Sequence, residues 1–225
     1  MLRHLFTVVV AVWIAASAGA ADAKDGLDSI APSTFVKTDT LPLDVSVGIE
    51  ITQITEVNQK SENYGAVAMI RMSWNDPKLG FPVEETVGKA QLFLSQGFLK
   101  YATERKAIVP VLGIPNQQSN RWIHQSIIAV FPDGPVCYAD KSSMTLQAPH
   151  FDFRQFPFDR QTFYFEIASS LPSDIVRYHP DDSLSGLGDR LGEEEWILEN
   201  ARLEVSTIKG LSGEDSAQVA LVFEG

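Results

Sequence analysis

An antiparallel β-sandwich is the fold class this sequence predicts, on three observations: apolar residues recur at alternate positions over long stretches, helical windows are few, and turn signals come at short intervals. The chain has 225 residues, 44% apolar and 10% aromatic. That is enough for one well-packed domain with a real core, and it argues against a second.

Taken in order, residues 1–20 read as a secretory signal peptide. Arg3 gives the positive start, an apolar run follows from position 5 to 16, and Ala18-Gly19-Ala20 supplies a small-residue cleavage site. A membrane anchor is the competing reading, but the run falls short of the about 20 residues a bilayer span requires. Residues 21–40, with Asp, Ser and Thr, one Pro and scattered Ile and Phe, are a lead-in segment or one short helix. The domain proper occupies 41–225. Its first strand, 43–54, keeps Leu, Val and Ile on one face. A polar turn over 57–63 leads to a second strand, 64–74, which Asn75-Asp76-Pro77 ends. Further strands are predicted at 90–94, 122–131, 136–146, 162–169, 196–208 and 216–223, with a helical turn at 96–105. Phe131-Pro132-Asp133-Gly134 joins two of these strands, and Asp-Gly is a hairpin signal.

The formal net charge of −11 argues against nucleic acid as a partner. Asp181-Asp182 and Glu193-Glu194-Glu195 read as solvated faces. Cys137, the only cysteine, reads as a small half-buried strand residue, and no disulfide framework exists. The histidines His4, His124, His150 and His179 show no metal-ligand spacing, so no metal or other cofactor is expected. His150 with Asp152, and His179 with Asp181-Asp182, are local acid-base pairs that turn hydrogen bonding explains more simply than catalysis. There is no G-x-S-x-G elbow, and Gly186-Leu187-Gly188 reads as a flexible turn. An enzyme is therefore not expected.

The most specialised stretch is Phe156-Pro157-Phe158-Asp159-Arg160-Gln161, feeding an alternating strand at 162–167. Phe156-Pro157 is a candidate cis bond, Asp159 is placed to hold the turn's backbone or face a cation, and the two phenylalanines anchor it. Other landmarks are Met72-Ser73-Trp74-Asn75-Asp76-Pro77-Lys78-Leu79, Ile108-Val109-Pro110-Val111-Leu112-Gly113-Ile114-Pro115-Asn116, the turn at 131–134, and Glu195-Trp196-Ile197. In this order they resemble the extracellular ligand-binding domain of pentameric ligand-gated ion channels, the Cys-loop receptor superfamily, and its prokaryotic branch in particular.

The resemblance implies a twisted, immunoglobulin-like β-sandwich of about ten strands, assembled as a homopentamer with ligand held between subunits. It implies an exported protein, with the domain on the periplasmic or extracellular side of the inner membrane. The loop Phe156, Pro157, Phe158 and Asp159 would face the membrane beside the turn Gln59, Lys60, Ser61 and Glu62, and together they would pass ligand-driven rearrangement to a pore. The family's two loop cysteines would fall at Pro149 and Phe163, so the covalent closure is missing, as in prokaryotic members. The aromatic cage of the animal receptors is absent as well, its positions carrying Met69, Pro115 and Ser170, so cation–π capture of an amine is not available. A late loop around Lys209 and Glu214 would cover a ligand loosely, with Arg71 and Tyr138 as complementary-face contacts. The ligand is an unknown small molecule or the proton, with Glu50, Glu62 and Glu166 as the candidate carboxylates for acid sensing. Two alternatives stay open: a stand-alone secreted ligand-binding protein of the same fold, and a carbohydrate-binding sandwich. The chain stops where family channels continue into a membrane domain, and the family-like loop at 156–159 favours a partial receptor over either alternative.

Overall fold

The computed structural model describes residues 41–82, 90–148, 160–189, 191–192, 196–210 and 212–225. The expectations for 1–20, for 21–40, and for the loop Phe156, Pro157, Phe158 and Asp159 lie outside them.

Two sheets face each other, as the alternation requires. The first contains β1 (Leu43–Asn58), β2 (Asn63–Asn75), β3 (Gln91–Phe93), β5 (Trp122–Val130), β6 (Pro135–Gln147), β8 (Val176–Pro180) and β9 (Gly186–Leu187). Its order is β3-β5-β6-β2-β1-β8, with β9 also on β1. The second contains β4 (Leu112–Gly113), β7 (Thr162–Ser169), β10 (Glu199–Lys209) and β11 (Asp215–Glu224), in the order β10-β11-β7-β4. Most neighbours are antiparallel, but β8 and β9 run parallel to β1. Gly186 and Leu187, read from sequence as part of a flexible turn, therefore form a short strand held by β1, with Gly188 N–H donating to the Ile51 carbonyl (2.8 Å).

The core is the inner face of both sheets. Val45, Val47, Ile49 and Ile51 of β1 and Ala66, Ala68 and Ile70 of β2 meet Phe163, Phe165 and Ile167 of β7 and Val219, Leu221 and Phe223 of β11, all buried. Each large side chain buried this way contributes about 1.5–3 kcal/mol. At one end Tyr64 stands edge-on to Phe163 (5.2 Å between centroids), which stacks on Phe223 at the same distance. The Tyr64 hydroxyl donates to the Tyr164 carbonyl (2.8 Å) and ties the sheets together.

The helical turn expected at 96–105 is a full helix, α1 (Ser95–Glu104). Phe98 and Ala102, one turn apart, bury against the sandwich beside Trp74, while Tyr101 donates its hydroxyl to the Leu79 carbonyl (2.8 Å). Gly134 closes the β5–β6 hairpin with φ of +96°, a conformation glycine adopts without strain. Cys137 is exposed, not half-buried: it pairs with Ser73 on the outer face of the first sheet. His179 bonds Asp44 (2.7 Å), while Asp181 holds Ser183, so the pairing of His179 with Asp181 and Asp182 is not formed.

Candidate functional site

Alternation sorts the first sheet's residues onto two faces. On the outer face Arg71 of β2 lies opposite Gly48 of β1 and Ala139 of β6, and Met69 lies between Glu50 and Lys141. Arg71 Nη2 reaches Glu50 Oε2 at 2.9 Å, and Nη1 donates to the Leu184 carbonyl at 3.3 Å. Both side chains are about one-third exposed. Gly48 is required here, because a Cβ at that position would come within 2.7 Å of Leu184 Cβ. Leu184, between β8 and β9 on one edge of β1, lies against Gly48 and presents its carbonyl to Arg71.

Tyr138 is on the opposite face. Its register partner is Met72, and its hydroxyl donates to Asp140, so it does not meet Arg71. Asp140 is buried and accepts two further bonds, from Arg121 and from Ser142 Oγ (3.0 Å), while Arg121 Nε donates to Ser142 Oγ (3.0 Å). Burial first, then the Asp140 charge, hold the Tyr138 phenol well above its ordinary range. This buried network of Arg121, Tyr138, Asp140 and Ser142 escaped the sequence reading. The signal was present: Asp140 is a charge at an inward position of an alternating strand, and such a residue demands a partner.

The second sheet gathers three loops at the far end of β7. Ser170 N–H donates to the Val111 carbonyl (2.8 Å), and Ser173 N–H to the Asp215 carbonyl (2.7 Å) at the foot of the β10–β11 hairpin. Lys209 pairs with Asp215 (2.6 Å) across that hairpin, and Glu214 is exposed beside them, its carbonyl accepting from Gly210. Ser170, Lys209 and Glu214 therefore share one region. Pro115 is exposed and sits further along β7, because β4 runs antiparallel and the next residue, Asn116, bonds the Tyr164 carbonyl (2.7 Å).

At the opposite end, Gln59, Lys60, Ser61 and Glu62 form the β1–β2 turn. Ser61 N–H donates to Asn58 Oδ1 (3.0 Å), and the Glu62 carbonyl accepts from Ala148 (2.8 Å). Ala148 leads into the segment that contains Phe156 to Asp159. After that segment, Gln161 and Gly225 exchange backbone bonds (2.8 and 3.0 Å), and Arg160 lies 3.4 Å from Glu199 and 3.8 Å from Glu224. The turn, both flanks of the Phe156 loop and the last strand thus meet at one end. Among the described residues no group of His, Cys, Asp and Glu is arranged to hold a metal ion, and no helix is long and apolar enough to cross a membrane.

The sandwich thus gathers loops at one end and converging turns at the other, the arrangement of a recognition domain of the family that its sequence matches. Residues 29–221 match the neurotransmitter-gated ion-channel ligand-binding domain family, and the chain belongs to it. It is 28% identical over 177 residues to a proton-gated ion channel of Gloeobacter violaceus, covering 78% of this chain and 46% of that protein. It is 27% identical over 133 residues to the glycine receptor subunit beta of Rattus norvegicus and, equally, of Homo sapiens, covering 57% of this chain and 25% of each receptor subunit. The chain thus spans less than half the length of these relatives.

Proposed function

We propose that this chain is the periplasmic or extracellular ligand-recognition domain of a homopentameric ligand-gated ion channel, coupling ligand binding at subunit interfaces to a membrane pore outside residues 1–225. The observation that carries this reading is the convergence at one end of the β1–β2 turn, both flanks of the Phe156 loop and the end of β11, joined by the Glu62–Ala148 and Gln161–Gly225 backbone bonds. Four separate chain segments tied at one end form a surface that reports on both sheets at once. In this reading Met69 and Arg71 lie on the complementary side of the interface, with Tyr138 behind them. Pro115, Ser170, Lys209 and Glu214 belong to the principal side. Gln59 to Glu62 and Phe156 to Asp159 touch the membrane domain. A ligand that binds the closed interface more tightly than the resting one shifts a two-state equilibrium toward an open pore.

The name of the Gloeobacter relative supports the proton as stimulus, and Glu62, exposed in the β1–β2 turn, is the carboxylate best placed for it. The test joins residues 21–225 to a pentameric channel's membrane domain and records current. Ligand- or acid-evoked current is expected, and Asp159→Ala should lose it while keeping surface assembly. A chimera that assembles but stays silent to acid between about pH 7 and 4 removes the proton. A chain that remains monomeric by native mass at high concentration, with no gating in the chimera, supports the stand-alone binding protein instead.

A further inference from the structure

The outer face holds a contact that the ligand-site reading leaves unused. Arg71, the guanidinium placed on the complementary side, already carries a carboxylate of its own chain. We propose that Glu50 is a specificity-determining residue that occupies Arg71 and keeps simple monoanions out of this site. The inference rests on Arg71 being a ligand contact.

Three features carry it. The first is geometry: Glu50 Oε2 lies 2.9 Å from Arg71 Nη2, and the Leu184 carbonyl takes Nη1 at 3.3 Å. Both of the guanidinium's terminal nitrogens are thus engaged from within the chain. A guanidinium has five donors in a fixed plane, so donors remain for a visitor, but its bidentate edge, the geometry that best matches a carboxylate, is partly taken. The second is exposure. Both partners are about one-third exposed, so the pair is open to solvent and is worth little as a stabilising bridge. A pair that adds little to folding yet sits on the proposed binding face has its main consequence for what binds there.

The third is the surrounding charge. Arg71 is flanked by Gly48 on β1, which has no side chain, and on its other side by Ala139 on β6. Met69 separates Glu50 from Lys141, the next cation along the row. Beside β1, on the edge that β9 occupies, a Cβ on Gly188 would stand 3.7 Å from Glu50 Oε1. Among the described residues the cation paired with Glu50 is Arg71. With Glu50 ionised the pair is neutral, and an incoming anion on the remaining guanidinium donors meets a carboxylate on the order of 4 Å away. Two like charges at that separation at a wet surface oppose each other by about 1 kcal/mol or more, roughly a fivefold loss of affinity. Ligands that carry no net charge escape the penalty.

The experiment uses acetate as the monoanion and acetamide as its neutral counterpart. Both are titrated into the chain at pH 7.5, reading the Arg71 Nε–Hε resonance in wild type, Glu50→Gln and Arg71→Gln, the last to assign the signal. Glu50→Gln is expected to tighten acetate roughly fivefold and to leave acetamide unchanged. Equal acetate affinity in wild type and Glu50→Gln overturns the role of Glu50 while leaving Arg71 as an anion contact. Tightening of acetate and acetamide alike also overturns it, since the substitution would then merely have opened space. Acetate that moves the Arg71 signal in neither protein overturns this inference and the reading of Arg71 beneath it.

Discussion

Asp140→Asn is expected to be among the most destabilising isosteric changes in the first sheet. The wild-type carboxylate is fully buried, its side chain 0% exposed, and accepts from Tyr138, Arg121 and Ser142, while Arg121 is itself only 16% exposed. Asparagine keeps the shape but loses the charge. Its one carbonyl oxygen can still serve one or two of the three donors, and its amide adds donors where the neighbours are donors too. Each hydrogen bond to a charged group is worth about 1.5–3 kcal/mol. The larger loss is that Arg121 is left with an uncompensated charge in a mostly buried site, and breaking one half of a buried pair costs about 3–5 kcal/mol. Against a total stability of about 5–15 kcal/mol, that brings the domain near unfolding at ambient temperature.

Urea denaturation measures this directly. With an m-value near 3 kcal/mol per molar, the midpoint should fall by roughly 1–2 M with m unchanged. The double variant Arg121→Met/Asp140→Leu separates pairing from packing, because replacing both charges with apolar groups of similar size is often neutral or better. It should recover most of the loss, giving a coupling energy of about 2 kcal/mol or more in the double-mutant cycle. An Asp140→Asn protein within about 1 kcal/mol of wild type, or a double variant no more stable than the single, would refute the account of a desolvated pair.

Three further outcomes follow from local geometry. Tyr64→Phe removes the hydroxyl that donates to the Tyr164 carbonyl between the sheets and should cost about 1 kcal/mol by thermal denaturation, with the fold retained. Gly134→Ala places a Cβ 2.5 Å from the Asp76 carbonyl oxygen at φ of +96°; a loss of about 1–3 kcal/mol is expected, and an unchanged melting temperature would show the hairpin to be pliant. Burial raises the Glu166 carboxyl above its ordinary value, so the folded state holds that proton to higher pH than the unfolded chain, and the stability this confers at low pH is lost as pH rises through the folded value. Glu166→Gln should therefore stabilise at pH 7, by less than about 1 kcal/mol for a half-buried group that solvent still screens, and have little effect near pH 4; equal effects at both pH values would contradict it.

Most of the fold was legible because most inward positions of the long strands are apolar, Asp140 and Ser142 of β6 being exceptions. Thr162–Ser169 coincides with its predicted strand, and the β2, β5, β6 and β11 bounds move by a residue or so, since tryptophan, proline and Asp-Gly punctuate them. What stayed hidden is short or held by distant partners. The two residues of β4 and the two of β9 have no periodicity of their own; they become strands because β7 and β1 offer free edges. The helix was underestimated for a related reason. No side chain caps it at Leu94, so the usual start signal is missing, and it persists through Phe98 and Ala102 packing on the sandwich.

The outer-face pair shows how far register can be read from sequence and where it fails. Extending the hairpin pairing Asn58 with Asn63 regularly along both strands would put Glu50 directly opposite Arg71. The structure slips twice, between Ile51 and Gln53 and between Ile54 and Glu56, and Glu50 instead faces Met69 while Arg71 faces Gly48. One slip alone would turn every residue beyond it to the other face. Two slips restore the parity, so Glu50 and Arg71 both still point outward and meet on the diagonal at 2.9 Å. The trace of the first slip is in the sequence itself. Leu43, Val45, Val47, Ile49 and Ile51 keep odd positions, and then Ile54 breaks the rhythm yet is buried to 1% exposure, which is possible only if a residue between them is bulged out. The slip that returns Ile54 to the core, together with the second, makes the chain's own carboxylate the diagonal neighbour of the arginine proposed to receive a ligand.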